Sequence, residues 1–588
     1  MKKLIWSIVI SLALAVGWLS LPTPRAAGEN IDEFPERDFA VRAARVFTGE
    51  SLLAPGVVVV RDGKIEQVGE TAEMPEGFPL LDLGERTLMP GLIDAHVHAF
   101  GTGAEDALNF GVTTVLDQVN DPGQIALLQR AAKGARVFSA GTPATAPGGH
   151  GTQYDFEVPV IEGPDDVPGF VDEISAAGSD WMKIIIEPRM ATLDEATVHA
   201  LASEARDRDM LTVAHVSRQE HARWTHEAGV DGLVHIFRDE PADPELAAAM
   251  AARDMFVAPT LVVLQSVAGL AQLDFSDNPN VEPWLSGGQR ASLDQAMDRE
   301  ENPEMRQRVL DSTLALFEAG VPILAGSDAP NQGTAQGLSL HTELQLLVEA
   351  GLSPEQVLTA ATAMPAKYFR LDDRGLLAPG RRADLLAVDG NPLENIEDTL
   401  AIHAIWQGGR HIPRVRASDL RGDPVPEHGR LSAFTSEQAA AGFGAGWEET
   451  SDSMFGGNSS VAMTSGAEDG RTFIRLSGET AAGFIFPWAG TMVFPGEFPM
   501  AAADLSNFTR LVFMARGDID SLNIMAFSPS LGQMPAVQPV SLSDDWREIS
   551  LELEAFAGAE AAAIQGFSFA AGMPAGPFVF DLAEVRLE

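Results

Sequence analysis

Apolar and polar positions fall into three rhythms along the chain. Between residues 39 and 90 the apolar runs are short: Val41 to Phe47, Gly56 to Arg61 and Lys64 to Val68 predict strands. Asp62-Gly63 between the last two predicts a tight hairpin, because both residues tolerate positive φ. The same pattern returns far downstream, at Ala383 to Val388 and Ala404 to Trp406. Two strand-rich pieces flanking a long segment predict one small β-sandwich assembled from both ends, 38–90 with 371–415.

The segment between them, 91–370, alternates strands with amphipathic helices. Asp180 to Ile186 predicts a buried strand, and Met210 to His215 and Val230 to His235 the next two. Thr192 with Glu195, and Ser217 with Glu220, read as capping boxes opening helices that run to about Asp209 and to Gly229. A helix from Pro244, a strand Met255 to Leu261, a helix over 303–319 and a strand Val321 to Gly326 continue the series. Alternation of this kind implies a parallel sheet, and its length suits a closed (β/α)₈ TIM-like barrel. After about residue 425 the runs become short and alternating, as at Thr472 to Leu476, Leu511 to Met514, Glu548 to Leu553, Gly566 to Phe569 and Phe578 to Phe580. Gly, Pro and Asp separate them, which predicts an all-β antiparallel jelly-roll sandwich over 434–588. The linker is placed at 416–433, around Arg421 to Arg430.

A chain of 588 residues is too long for one core, in keeping with several domains. Its formal charge of −44 argues against nucleic acid and anionic membrane surfaces as partners, since both are polyanions. The partner expected is a small molecule; homo-oligomerisation stays open. With no Cys there is neither disulfide nor thiolate ligand, so a metal site must use His, Asp, Glu or Lys. Met1-Lys2-Lys3 followed by the apolar run Leu4 to Leu21 reads as an export signal over 1–27. A periplasmic or extracellular location in a bacterium follows, with inner-membrane anchoring if the segment is uncleaved.

Chemistry-bearing residues cluster where strands end. His96-Val97-His98 closes an apolar run, and strand alternation sends both imidazoles to one side. Alone, such a pair is a weak signal. His215 and His235 end successive predicted strands, Asp328 ends another, and Lys183 lies in the strand before His215. Barrel enzymes place their sites at the C-terminal ends of strands. Only six Lys occur, so one inside an apolar run stands out. Lys183 could snorkel outwards or pair with Glu187 or Asp180. Buried, it is more easily neutral, and a neutral amine adds CO₂ to give a carbamate able to bridge two cations. His150, in the loop Pro147 to Gly151, is open between substrate contact and ordinary loop residue. His341 carries the weaker expectation of a substrate contact, or of support together with Glu343, against helix packing. His199, His221 and His226 are expected on solvated helix faces, and His403, His411 and His428 outside the barrel.

These residues resemble the amidohydrolase superfamily, near its imidazolonepropionase-like and Xaa-Pro dipeptidase-like members. The resemblance runs from about Val41 to Arg410. It is carried by Met89 to His98 (MPGLIDAHVH), Gly111 to Val115, Trp181 to Ile184, Ala228 to His235, Ala325 to Ala329, Gly375 to Leu386 and Gly390 to Leu393. It implies that His96, His98 and Asp328 hold a first divalent metal, zinc being expected, and that His215 and His235 hold a second with carbamylated Lys183 between. With one metal, His235 faces substrate and joins Asp328 as a catalytic residue. His215 departs from the family in being followed by Val216-Ser217. The implied activity is hydrolysis of a C–N bond in a small amide, dipeptide or cyclic amide, with Asp328 as proton shuttle. Deamination, or lactone or phosphoester cleavage, would use the same site, and a non-catalytic binding or assembly protein is the alternative of another class. The intact ligand set weighs against the last. No dinucleotide Gly fingerprint, P-loop or Cys nucleophile supports other chemistry. Trp447, Ser451 to Ser459, Asp504 to Ser506, Gly566-Phe567 and Gly576 to Phe578 resemble the complex I intermediate-associated protein family, a galactose-binding-like fold.

Overall fold

Seven parallel strands and one irregular segment close the central barrel. They are β1 (Leu92–Val97), β2 (Val112–Asp117), β3 (Arg136–Ser139), β4 (Met182–Ile186), β5 (Thr212–Val216), β6 (Gly232–Leu233) and β7 (Phe256–Val257). β1, β2 and β3 pair side by side, with register shifts along the β1–β2 pairing, and β4 to β7 pair in the same parallel manner. The loop after β3 bridges the two groups: Ala144 donates to the Lys183 carbonyl at 2.8 Å and accepts from Ile185 at 2.9 Å. The expected strand Val321 to Gly326 makes only isolated bridges, Ile323 with Val257 and Ala329 with Val97. It still occupies the eighth position, since Ala95 donates to Ala325 and Asp328 to the His96 carbonyl. Asp328, just past it, is left-handed, with φ 55°. Gly326 lets the backbones approach closely: a Cβ would stand 3.0 Å from the His96 Cβ and backbone N, a tight contact. The computed structural model describes residues 34–588 except 73–76, 101, 121–128, 130–133, 153–157, 271–274, 276, 294–299, 417–420, 453–457, 482–486, 498, 520 and 532–534. The export segment 1–27 and Ser453 to Gly457 of the C-terminal motif therefore lie outside the described residues.

The helices fall near their expected places, but both expected capping boxes are replaced. Asp194, not Thr192, caps Glu195–Asp207, accepting from the Thr197 N–H at 2.8 Å. Gln219–Ala228 starts without help from Ser217; Asp239 accepts the Gln219 N–H at 2.9 Å. Gly229 ends that helix in the left-handed region. Met255 to Leu261 is strand only at Phe256–Val257, and Leu261 already opens a helix, Leu261–Val267.

The strand-rich flanks combine as one unit. Leu385–Val388 pairs antiparallel with Thr87–Pro90, so residues almost 300 apart in sequence share a six-stranded sheet. A four-stranded sheet packs against it over Phe39, Val41, Val58, Leu385 and Trp406, all fully buried. The Asp62-Gly63 hairpin has positive φ at both residues, as its sequence demands.

The C-terminal region is two five-stranded antiparallel sheets with a separate core, including Trp447, Phe513, Phe567, Phe569, Phe578 and Phe580. Its boundary lies earlier than expected. Asp423–Pro424 pairs with Ala503–Asp504, Arg430 bridges Arg586, and Leu431 is buried in the sandwich core. Much of 416–433 thus belongs to the sandwich, because its apolar Leu431 has a core to enter and its backbone has edges to pair. On the other side, Val415 exchanges hydrogen bonds with the Asn109 side chain, and Arg414 lies over the Trp284 ring at 4.0 Å. The described attachments to the barrel and to the sandwich are thus only a few residues apart in sequence. Because its core is self-contained, the isolated segment 421–588 should unfold in one cooperative transition in urea, followed by Trp447, Trp488 and Trp546 fluorescence. A broad, dye-binding transition would show that it needs the barrel.

Candidate metal centre

The C-terminal ends of the barrel strands bring His96, His98, Lys183, His215, His235 and Asp328 together. Asp328 Oδ1 stands 3.1 Å from both His96 Nε2 and His98 Nε2. His235 Nε2 lies 3.9 Å from Asp328 Oδ2, and the His215 and His235 ring centroids are 4.5 Å apart. Lys183 Nζ is 3.5 Å from His96 Nε2. Lys183 neither snorkels nor pairs with Asp180, whose carboxylate accepts from the Ser139 N–H; Lys183 is 2% exposed.

The outer nitrogens decide what these rings offer. His96 Nδ1 is 2.7 Å from the Val234 carbonyl, which only accepts, so Nδ1 carries the proton and Nε2 presents a lone pair. His235 Nδ1 is 2.7 Å from Thr260 Oγ1, whose own hydrogen goes to the Pro259 carbonyl. Thr260 therefore accepts, and His235 Nε2 likewise faces inward as a lone pair. Burial pushes the His96 imidazole down to about 4 and His215 to about 3, and holds His235 well below its usual value. All three are neutral at neutral pH. Burial also lowers Lys183 to about 8. Burial would raise the Asp328 carboxyl, but the His96 and His98 imidazoles beside it outweigh this and keep it ionised. Asp328 Oδ1 and His215 Nε2 are buried with no hydrogen-bond partner. An acceptor oxygen facing lone pairs at this spacing, in a largely buried site, makes His96, His98 and Asp328 a candidate donor set for a cation.

Supporting groups lock the geometry. Asp94, fully buried, accepts from the Ser327 N–H at 2.9 Å, the Ser327 hydroxyl at 2.6 Å and the His96 N–H at 3.1 Å. It ties the β1 bulge carrying His96 to the segment carrying Asp328. Burial pushes its carboxyl up to about 7. Asp117 accepts from the Ala99 N–H at 2.7 Å and fixes the turn after His98. Thr260 sits at φ 54°, strained for a β-branched residue. Glu343 holds that turn by accepting the Val262 N–H at 2.8 Å. The expected supporting role suits Glu343 but not His341.

Glu187 was legible only as a partner for Lys183, yet it forms a hub. It follows β4 directly, two and four residues after Ile185 and Lys183, in continuation of the same side of the strand. Its carboxylate takes both forks of Arg189 at 3.0 Å, Arg238 at 3.3 Å and the Ser217 hydroxyl at 3.3 Å, and stands 3.5 Å from His215 Nε2. Thr192 accepts the Glu187 N–H. The two residues expected to cap helices are thus recruited here. The His150 ring lies 5.0 Å from that of His215, so the loop histidine does belong to this cluster.

Two expectations about other histidines need correction. His341 is fully buried away from the cluster. Its Nε2–H donates to the Phe110 carbonyl at 2.9 Å, and its Nδ1 lies 2.9 Å from the Thr399 hydroxyl. Both nitrogens are spent on helix packing, so it is not a substrate contact. His221 is buried against Trp224 rather than solvated, because its helix turns that face inward.

A closed parallel barrel with imidazoles and a carboxylate at its strand C-termini, and a buried lysine beside them, is a candidate barrel-enzyme centre. The comparisons narrow the class. The amidohydrolase family matches residues 87–410. Imidazolonepropionase of Nocardia farcinica is 26% identical over 370 residues, covering 56% of this chain and 84% of that protein. Ochratoxinase of Aspergillus niger is 24% identical over 439 residues, covering 61% and 85%. Among solved structures, a Xaa-Pro dipeptidase with bound methionine in its active site superposes with TM-score 0.53 at 22% identity, over 64% of this chain and 99% of that one. The chain belongs to the amidohydrolase family and is an enzyme of the class that hydrolyses carbon–nitrogen bonds.

His341 yields a pH prediction. Burial lowers its imidazole from 6.5 to about 4. The unfolded chain then takes the proton first, so this contribution is present above pH 6.5 and lost as pH falls towards 4, a span worth on the order of 3 kcal/mol. His341→Gln should flatten that part of the stability curve in urea titrations between pH 4 and 7. An unchanged acid slope would mean that His341 does not stay neutral in the fold.

Proposed function

We propose that the protein is a divalent-cation-dependent hydrolase of small amides, dipeptides or cyclic amides. The observation that carries this is Asp328 Oδ1, buried without a hydrogen bond 3.1 Å from two imidazole nitrogens. His96, His98 and Asp328 would hold one cation. His215 and His235 would hold a second, with Lys183 as its carbamate between them. Imidazole and carboxylate donors without thiolates suit zinc. When bound, such a cation acidifies a water and polarises the scissile carbonyl.

The chain's own groups supply the rest. Asp328, ionised and immobilised through its left-handed backbone, accepts the proton of the attacking water and passes it to the leaving nitrogen. Neutral Lys183 can attack CO₂ through Nζ, forming the N–C bond and losing a proton. His235 orients the substrate carbonyl where a single cation is held. His150, against His215, lines the substrate side. Small amide substrates are supported by the relatives, one named for imidazolonepropionate and one for Xaa-Pro dipeptides. The N-terminal segment supports export to the periplasm or beyond. The C-terminal sandwich supports a stabilising or docking role, consistent with its resemblance to the complex I intermediate-associated family.

Asp328→Asn should lower turnover on an amide panel on the order of 10²–10⁴-fold while the chain stays folded; wild-type turnover would misplace the centre. Protein purified with bicarbonate should carry about two divalent ions per chain by elemental analysis, and Lys183→Ala should lose at least one. Full double occupancy in that variant would remove the bridging role alone. Thr260→Val, which keeps the shape but not the acceptor for His235, should weaken cation binding about 10–100-fold; unchanged affinity would show that the Thr260 contact does not orient the ligand.

A further inference from the structure

We propose that a groove at the opposite end of the barrel from the metal centre binds a small oxyanion of the phosphate class. Its volume is about 400 Å³, within the range of small-ligand sites. Four separate segments line it. Lys64 comes from the first hairpin, Arg136 from the start of β3, Arg382 from the strand-rich C-terminal flank, and Gln407 with Arg410 from the last hairpin of the composite sandwich. β3 runs from Arg136 towards the site-bearing ends, so the groove and the metal centre lie on opposite barrel faces.

The charge in this groove runs against the rest of the chain. Basic residues number 40 in 588, against 84 acidic ones. At that frequency nine lining residues should include one base at most; they include four, with Asp62 the one acid. Among the described residues, no ion pair involves Lys64, Arg136 or Arg410, although carboxylates are abundant. Arg382 alone has a partner, Asp384 at 3.3 Å, and Asp62 is turned to Arg37 at 3.5 Å. Arg136 makes one long contact, 3.4 Å to the Gln129 carbonyl. Cations facing each other without counter-charge repel, and an anion among them removes that cost.

The floor is rigid. Gln407 donates to the Thr113 and Gly134 carbonyls at 3.1 and 3.2 Å, tying the sandwich to the barrel. A Cβ on Gly63, itself at φ 74°, would stand 2.4 Å from the Gly408 carbonyl oxygen, so the two hairpin tips touch through bare backbone. The cations are therefore presented on a fixed frame. Three guanidinium groups and one ammonium contributed by four segments offer more donors than a single planar carboxylate can accept, which suits a tetrahedral oxyanion, and the volume of the groove suits a small molecule.

Isothermal titration of the full chain with orthophosphate, pyrophosphate, sulfate and citrate, at constant ionic strength, tests this. The comparison is the double variant R136S/R410S, checked for folding by circular dichroism and for turnover, neither of which should change. A saturable site for orthophosphate, pyrophosphate or sulfate, weakened about tenfold or more in the double variant, is the expected result. Preference for pyrophosphate would point to a phosphorylated compound, and equal binding of sulfate to a free oxyanion. No saturable heat, equal binding in the double variant (as phosphate at the metal centre would give), or citrate binding more tightly than every tetrahedral anion would overturn the proposal.

Discussion

The structure depends on holding several lone pairs close together out of water. Asp328 and several imidazoles converge at the mouth of the barrel, and the outer nitrogens of His96 and His235 are already committed. Such a placement is costly for an empty apolar interior, because acceptors repel acceptors and desolvation adds to the cost. Only a frame that leaves the side chains no other rotamer can maintain it. The closed barrel is that frame, since the clustered side chains come from several different barrel segments and no single segment can relax alone.

The frame is reinforced by carboxylates that do not touch the cluster's centre. Asp94 fastens the β1 bulge to the segment of Asp328, crossing the closure of the barrel. Glu343 steadies the turn of Thr260, which in turn aims His235. Glu187 is encased by two arginines and a serine, so the wall beside His215 is a fixed ion network. The irregularities follow the same logic. The left-handed backbone at Asp328 and Thr260 sits where a side chain must be turned against the local grain, and neighbouring hydrogen bonds compensate the strain.

Much of the site was readable because strand periodicity is a local property. His96 and His98 share a side by alternation, and the interval between His215 and His235 spans one strand–helix repeat. Glu187 was legible only as a partner for Lys183 and not as a hub, since a carboxylate past a strand end is usually solvated. Thr192 and Ser217 satisfied the spacing of capping boxes, yet the hub at Glu187 drew them away while Asp194 and Asp239 capped instead. Near-equal local hydrogen bonds are settled by what lies across the fold.

The sequence by itself determined the kinds of element, the barrel rhythm, the all-β tail and the residue types able to bind a cation. These follow from side-chain size, polarity and periodicity, which act over a few residues. Tertiary structure alone decided which nitrogen of His96 and of His235 faces inward and that His341 belongs to helix packing. It also decided that Leu431 enters the sandwich core and that four cations from distant segments line one groove. Those outcomes depend on partners up to hundreds of residues away, whose distance is set only when the barrel closes.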